Sequence, residues 1–413
     1  MRLSFYYVSS FFIMILPSII FLLLIRIFSK VLLIRFGQLP SDRIGHFSID
    51  VELYLSKLEQ TKLTKNVKDI FFISNTKQIC NSYLLKIWSK KLTIIRRFFI
   101  IPLWFLINSK YLKYFFKDHV LHHRIGKHFP HFDNENLILN SKQNINIEKN
   151  DIDECLEILK RNKIDINKKI VCLHVRDNLY LKKKYPLKDF SYHDYRDFEL
   201  DHFQKLCEFF EKKGFLIFRM GNSTIKKLKF ANKNIIDYSN SNFISDKMDI
   251  FLISKCSIFI GAESGLLSVA RCFRKPLLNI CGKPVVRSSY YNNLYCFKNL
   301  YRTSDNKPLT FTEIFSENLY DVHDKEILKA KGIYLKDLSS DEIFEYGQDI
   351  FNFYKSGCDI SGAEKIKQKE FYLNFLENIK LFTYESKTEK DHNQKNLSYI
   401  SPSFLRNNPT LSN

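Results

Sequence analysis

The feature that most restricts the fold is a regular exchange of short apolar runs with amphipathic ones between residues 170 and 280. The runs at 170–175 (IVCLHV), 215–220 (FLIFRM), 235–238, 257–260 (SIFI) and 276–280 (PLLNI) are only four to six residues long. Such short, nearly continuous apolar stretches are the pattern of strands buried on both faces. Between them, residues 200–213 read as an amphipathic helix closed by Gly214 as a C-cap glycine, and residues 247–255 and 266–273 read as helices. Parallel neighbours need a crossover long enough to hold a helix. The alternation therefore predicts a doubly wound, mostly parallel sheet.

A shorter alternation precedes it. Residues 31–36 (VLLIRF) predict a buried strand, 37–46 (GQLPSDRIGH) a loop, and 47–58 a helix with Ile49, Leu53 and Leu58 on one side. Residues 69–74 (DIFFIS) predict the next strand and 82–91 the next helix. Strand, glycine loop and helix open a nucleotide-fold half-domain. A chain of 413 residues and 49.2 kDa is long enough for two such domains. The Asn-rich stretch 134–150 predicts the connection between them. The expected organisation is a membrane segment at 1–29, a Rossmann-like domain at 30–140, a second at 151–310, and a helical region at 311–413 whose tail is polar from residue 385.

Residues 5–25 (FYYVSSFFIMILPSIIFLLLI) contain no charge, and a helix needs roughly 20 apolar residues to cross a bilayer. Arg2 precedes this run, while Arg26, Lys30, Arg35 and Arg43 follow it. The larger cationic cluster predicts a body on the cytoplasmic side of the inner membrane. No small-x-small site closes the run, which argues against a cleaved signal peptide. Pro17 and the serines leave open a helix lying in the interface. A second apolar run, 98–107 (FFIIPLWFLI), is too short to span. It reads as a buried strand or core helix, or as a membrane-dipping patch beside Lys90, Lys91, Arg96 and Arg97.

Charge is uneven. Residues 1–130 hold 20 Lys and Arg against 6 Asp and Glu, a balance of +14, whereas the rest of the chain carries +6. An anionic partner is therefore expected for the first third. That third has no nucleic-acid reader motif, and the membrane segment accounts for its charge more simply, so an anionic membrane surface is expected and nucleic acid is not. The nine cysteines include no C-x-x-C pair. This excludes a zinc-finger signature and a disulfide framework, and it fits a reducing compartment. Five of the eleven histidines fall between His119 and His131, and no matching Cys or carboxylate set accompanies them.

In open α/β sheets ligands bind beyond the carboxyl ends of strands. Three places there carry chemistry. His174-Val175-Arg176-Asp177 ends one strand, where a guanidinium and an imidazole suit a diphosphate. The alternative is a structural Arg176–Asp177 pair. Arg219-Met220-Gly221-Asn222 ends another, with Gly221 permitting close backbone approach or simply making a turn. Gly261-Ala262-Glu263-Ser264-Gly265-Leu266 lies between a strand and a helix, where first-turn N–H groups suit an anion. A tight structural turn is the alternative. The run is neither a Walker motif nor a nucleophile elbow.

Together these stretches resemble the GT-B glycosyltransferases, whose two Rossmann-like halves face each other across a cleft. More specifically, the chain resembles an uncharacterised bacterial family of glycosyltransferase-like proteins. The motifs that carry the likeness are R-x-G-H at 43–46, CLHVRD at 172–177, YRD at 195–197, G-F-x-I-x-R-M-G at 214–221, DY at 237–238, the run 249–276, and ISPSFL at 400–405. His174 and Arg176 also echo the H-x-R-[RT]-x-D donor motif of fucosyltransferases. Asp177 and Leu179 stand where that motif has its second basic or Thr residue and its Asp, a departure that argues against a GDP-fucose donor.

The resemblance implies a nucleotide-sugar donor held by His174, Arg176, Asp177, Arg219, Gly221, Glu263, Ser264 and Gly265. It implies a glycan or lipid-linked acceptor at the N-terminal half, with His46 or Asp42 as catalytic base. His46 has an alternative role as a cap of the following helix. No metal and no cofactor beyond the nucleotide-sugar co-substrate are implied. Two rivals from other classes are a non-catalytic nucleotide- or sugar-binding scaffold on the membrane and a nucleic-acid-binding protein.

Overall fold

The computed structural model describes residues 2–61, 66–73, 79–95, 97–121, 133, 136–176, 191–222, 226–281, 292–320, 322, 324–382 and 398–411. The chain divides into two compact units, one built from 1–131 with 140–146, the other from 132–139 with 147–413.

The first unit holds a four-stranded parallel sheet. Its strands are β1 (Leu33–Leu39), β2 (Val67–Ile73), β3 (Ile94–Ile95) and β4 (Val120–Leu121), in the order β3-β2-β1-β4. β1 runs past the apolar stretch 31–36: Gly37, Gln38 and Leu39 continue the ladder opposite Phe71, Phe72 and Ile73. Main-chain pairing and the burial of Leu39 override the weak strand preference of Gly-Gln. The expected ten-residue loop shrinks accordingly, and its helix begins at Ile44 rather than Phe47, running to Thr61. Phe47, Val51 and Tyr54 bury one face of that helix, and the Trp88 indole N–H donates to the Phe47 carbonyl (2.9 Å).

A half-buried ion pair and a buried carboxylate tie this unit together. Arg35 and Asp69 form a bidentate pair across β1 and β2, with both contacts at 2.7 Å, and the Tyr54 hydroxyl also donates to Asp69. Glu52 is fully buried and accepts the backbone N–H groups of Asn144 (2.9 Å) and Ile145 (3.1 Å), which returns 140–146 to the unit. A buried carboxylate that keeps two N–H donors avoids most of its desolvation penalty.

The N-terminal helix spans Arg2–Ile27, and its stretch Ile13–Lys30 is long and apolar enough to cross a membrane. Ser18, Leu22 and Ile25, spaced by four and three residues, form its narrow buried stripe. Leu22 and Ile25 join a cluster with Ile100, Leu103 and Ile107 and with the sheet residues Phe36 and Phe72. The run 98–107 is thus a helix, Arg97–Ile107, and not a strand, with Ile100, Leu103 and Ile107 on its buried side and Phe105 exposed.

The second unit holds seven parallel strands: β5 (Ile170–His174), β6 (Leu216–Arg219), β7 (Ile235–Ile236), β8 (Ile258–Gly261), β9 (Leu277–Cys281), β10 (Asn293–Phe297) and β13 (Tyr399–Ile400). They lie in the order β13-β10-β9-β8-β5-β6-β7. A separate antiparallel ribbon joins β11 (Leu300–Arg302) to β12 (Ile333–Leu335). The crossover helices Gln204–Lys212, Asp246–Lys255 and Gly265–Cys272 match the amphipathic runs, and Gly214 takes the left-handed φ of +84° expected after the first.

The C-terminal region is part of this core. β13 adds an edge strand beyond β10, and Phe404, Leu405 and Leu411 are buried in the cluster that also holds β5, β9 and β10 residues. Of the expected polar tail, 383–397 lies outside the described residues, while 398–411 is packed. Replacing Phe404, whose ring centroid lies 4.5 Å from that of Phe297 and 6.1 Å from that of Tyr346, removes a buried aromatic from this contact. Phe404→Ala is expected to lower unfolding stability by about 3–5 kcal/mol, measured by urea denaturation in detergent.

Candidate functional site

The order of the second sheet decides where ligands can gather. From β5 the chain lays down β6 and β7 on one side, then crosses to place β8, β9 and β10 on the other. The connections leaving β5 and β8 therefore diverge. The gap beyond their carboxyl ends is a topological switch point. Two of the three predicted stretches, 174–176 and 261–265, lie at this gap.

Their approach is close. His174 pairs with Gly261 in the ladder, and a Cβ at Gly261 would lie 2.6 Å from the His174 carbonyl oxygen and 3.2 Å from its Cβ. Glycine is required there for strand packing. Ser264 caps the Gly265–Cys272 helix, its hydroxyl accepting from Leu267 N–H at 3.4 Å. Glu263 is held at the mouth by the Asn279 amide (3.4 Å) and Arg271 (3.7 Å), and its carbonyl accepts from Arg196 (3.2 Å).

The cations play different parts. Arg176 is buried and pairs through Nη1 with Asp197; Asp177 lies outside the described residues. Burial lowers its guanidinium pKa and Arg196 adds to this, while Asp197 and Asp194 oppose it. Arg219 is almost fully enclosed, donating to the Lys226 carbonyl (2.6 Å) and to Asp237 (3.1 Å). Burial alone would raise the Asp237 carboxyl, but hydrogen bonds from Leu228 N–H, Ser239 and Asn240 and the Arg219 charge hold it below its usual range. Arg219 is thus a fixed buried charge tying β6 to the loop after it. Gly221 follows with φ +134°, a conformation L residues rarely adopt. The neighbouring Tyr238 hydroxyl donates to Asp249 (2.7 Å), whose carboxyl burial pushes up to about 7.

His174 lies among these charges. Burial, then Arg176 and Arg219, push its ring down to about 4, so it is neutral at physiological pH. Among the described residues its Nδ1 is buried without a hydrogen-bond partner. Buried polar atoms are rarely left unsatisfied, which makes this nitrogen a candidate ligand contact.

Three side chains here escape the sequence reading. Arg196 and Asp197, within the YRD motif, meet Glu263 and Arg176. Lys298 donates to the Asp197 carbonyl (2.8 Å) and pairs with Asp337 (2.7 Å). YRD was a usable signal; a lysine directly after the buried run NLYCF was not.

The first unit repeats the same device. β1 lies between β2 and β4, so its carboxyl end is again a switch point. Asp42 is exposed there, and His46 stands in the first turn of the Ile44–Thr61 helix with Nδ1 3.4 Å from the buried Asp50 carboxylate. His119 is fully buried with Nδ1 2.7 Å from the Ile34 carbonyl, a structural position on the sheet. His122, His123, His128 and His131 lie outside the described residues. Among the described residues, no three His, Cys, Asp or Glu side chains form a metal-binding group.

Solved structures similar to this chain include three bacterial glycosyltransferases. One is a family 9 glycosyl transferase from Veillonella parvula, at 10% identity and TM-score 0.40, covering 78% of this chain and 98% of that one. Another is the E. coli ADP-heptose LPS heptosyltransferase II, at 11% and 0.34, covering 72% and 96%. A third is an E. coli heptosyltransferase with ADP-2-deoxy-2-fluoro heptose, at 10% and 0.32, covering 66% and 95%. No protein family matches the chain, and no curated protein matches it.

Two outcomes follow from this geometry. His174 has a folded pKa of about 4 against an ordinary 6.5, so the unfolded chain binds more protons between those values. Its contribution to stability is whole above pH 6.5 and is lost as pH falls toward 4. His174→Gln is expected to flatten that part of the stability–pH curve, measured by denaturant midpoints from pH 7 to 4. Gly261→Ala must displace β5 backbone and is expected to cost about 1–3 kcal/mol by the same measurement.

Proposed function

We propose that the protein is a glycosyltransferase that moves a sugar from a nucleotide-diphosphate donor to a glycan or lipid-linked acceptor at a membrane. One observation carries the reading. Residues 174–176 and 261–265, almost ninety residues apart in sequence, meet at the switch point between β5 and β8, where α/β sheets bind nucleotides. The stretch joins a guanidinium, a neutral imidazole whose buried Nδ1 has no hydrogen-bond partner among the described residues, and a helix N-terminus. Such groups suit a diphosphate rather than a neutral sugar alone.

In the proposed step the acceptor oxygen attacks the anomeric carbon, and the bond from that carbon to the diphosphate oxygen breaks with its electron pair leaving on the diphosphate. Arg176 and the first-turn N–H groups of the Gly265–Cys272 helix neutralise the departing charge. Arg219 supplies a fixed positive field from the carboxyl end of β6. Asp42 and His46 are the candidate bases on the N-terminal unit, and the buried Asp50 behind His46 favours His46. With Nδ1–H turned to Asp50, Nε2 takes the acceptor proton. The reading assigns no metal to the step. The N-terminal helix, followed by its cluster of cations, holds the body on the cytoplasmic face of an anionic membrane.

The test is a melting panel of UDP, GDP, CDP, ADP and TDP on the full chain in detergent with EDTA. A nucleotide bound by the folded state alone adds about 2.7 kcal/mol at a hundredfold excess over its Kd. One nucleotide is expected to shift the melt. No shift from any of them, on a cooperatively folded protein, overturns the donor site. Arg176→Ala is expected to weaken the responding nucleotide roughly ten- to a hundredfold. With that donor, His46→Ala is expected to lower kcat by about 10²–10⁴ while nucleotide affinity stays unchanged.

A further inference from the structure

Beyond its N-terminal helix, the first unit carries a second outward-facing apolar surface that the catalytic reading does not use. Directly after the Arg97–Ile107 helix, residues 108–119 form a chain of tight turns closed by backbone hydrogen bonds, among them Lys113 to Ser109 (3.0 Å), Phe116 to Leu112 (3.1 Å) and His119 to Phe116 (2.9 Å). Asn108 donates its side-chain amide to the Trp104 carbonyl (2.8 Å), and the Ser109 hydroxyl accepts from Leu112 N–H (3.3 Å). The segment is therefore locally fixed. Leu112 and Phe116 pack inward against the cluster that includes Leu22, Ile25 and Ile100.

The outward side is the unusual one. Tyr111 and Tyr114 are each 72% exposed, Phe115 is 64% exposed, and Phe105 on the adjoining helix is 61% exposed. A turn facing water alone would place polar side chains there. Instead Lys110 lies 4.8 Å from the centre of the Tyr111 ring, and Lys113 lies 5.0 Å from that of Tyr114. The surrounding sequence is charged with one sign. Residues 70–117 contain nine Lys and Arg and no Asp or Glu.

We infer that Phe105 and the Lys110–Lys117 turn form an interfacial anchor that seats in the headgroup layer of an anionic phospholipid membrane. Tyrosine rings are amphipathic and favour the headgroup level, where lysines meet lipid phosphates. The charge selects the occupant: nine cations with no acidic residue among them from 70 to 117, beside exposed aromatics, are complementary to anionic lipid. The anchor packs into the cluster that holds Leu22 and Ile25 of the N-terminal helix, so helix and turn grip the bilayer as one body. This fixes the rotation of the first unit about the helix, which a helix alone leaves free. The inference rests on the membrane reading above and adds a second contact to it.

Hydrogen exchange on the full chain separates the two ideas. The protein is placed in nanodiscs of phosphatidylcholine, in nanodiscs containing phosphatidylglycerol, and in detergent. Amides of 108–117 are expected to exchange at least tenfold more slowly in the anionic discs than in the other two. Lys110→Glu/Lys113→Glu is expected to abolish that difference, since each lysine contributes roughly fivefold to anionic-surface affinity, while residues 13–27 stay protected. Slow exchange at 13–27 with no change at 108–117 overturns the anchor and leaves the helix reading standing. Equal protection of 108–117 in both lipids overturns the anionic occupant. Fast exchange at both segments in every disc overturns the membrane reading together with the anchor.

Discussion

The second unit depends on the closeness of β5 and β8. Gly261 lies against His174 so tightly that no side chain fits between them, and this contact joins the two halves of the strand order. On one side β6 and β7 follow from β5; on the other β9, β10 and β13 build outward from β8. The two directions part beyond the carboxyl ends of β5 and β8, the topological switch point of the sheet. The candidate site lies there, so a substitution at Gly261 acts on fold and site together.

The electrostatics follow from the same geometry. Arg176, Arg196 and Arg219 gather near the carboxyl ends, and carboxylates or carbonyls of the same ends hold each of them. Arg219 is fastened by a carboxylate that is itself hydrogen-bonded three times over. That fixes a positive charge inside the sheet edge without needing a ligand to justify it. His174 stays neutral under the field of two of these cations. These charges are fixed by the protein's own contacts, and in the proposed reaction preorganised charge of this kind would stabilise the departing diphosphate.

Much of this was legible in the sequence because the crossover helices and buried strands of a parallel sheet repeat one simple pattern. β5, β6, β8 and β9 lie within a residue or two of their apolar runs, and 174–176 and 261–265 were marked as strand-end chemistry. What escaped was set by distant partners. β1 gained Gly37–Leu39 only because β2 lies beside it in register. β13 is two residues long and exists only because β10 offers an edge. Arg176 pairs with Asp197, twenty-one residues away, a contact that no local spacing signals. Asp50 behind His46 is a helical i, i+4 contact, readable in principle once the helix start moved to Ile44.

The late edge strand also has a consequence for synthesis. Asn293, at the start of β10, hydrogen-bonds Ser398, 105 residues further along the chain. During translation β10 must therefore wait for its outer neighbour while about a hundred residues are made, on the order of ten seconds at ordinary ribosome speeds. Throughout that interval the nascent sheet carries an open, apolar edge, the kind that pairs readily with another chain. The protein's exposure to misassembly is thus set less by its finished stability than by the time its sheet stays unclosed.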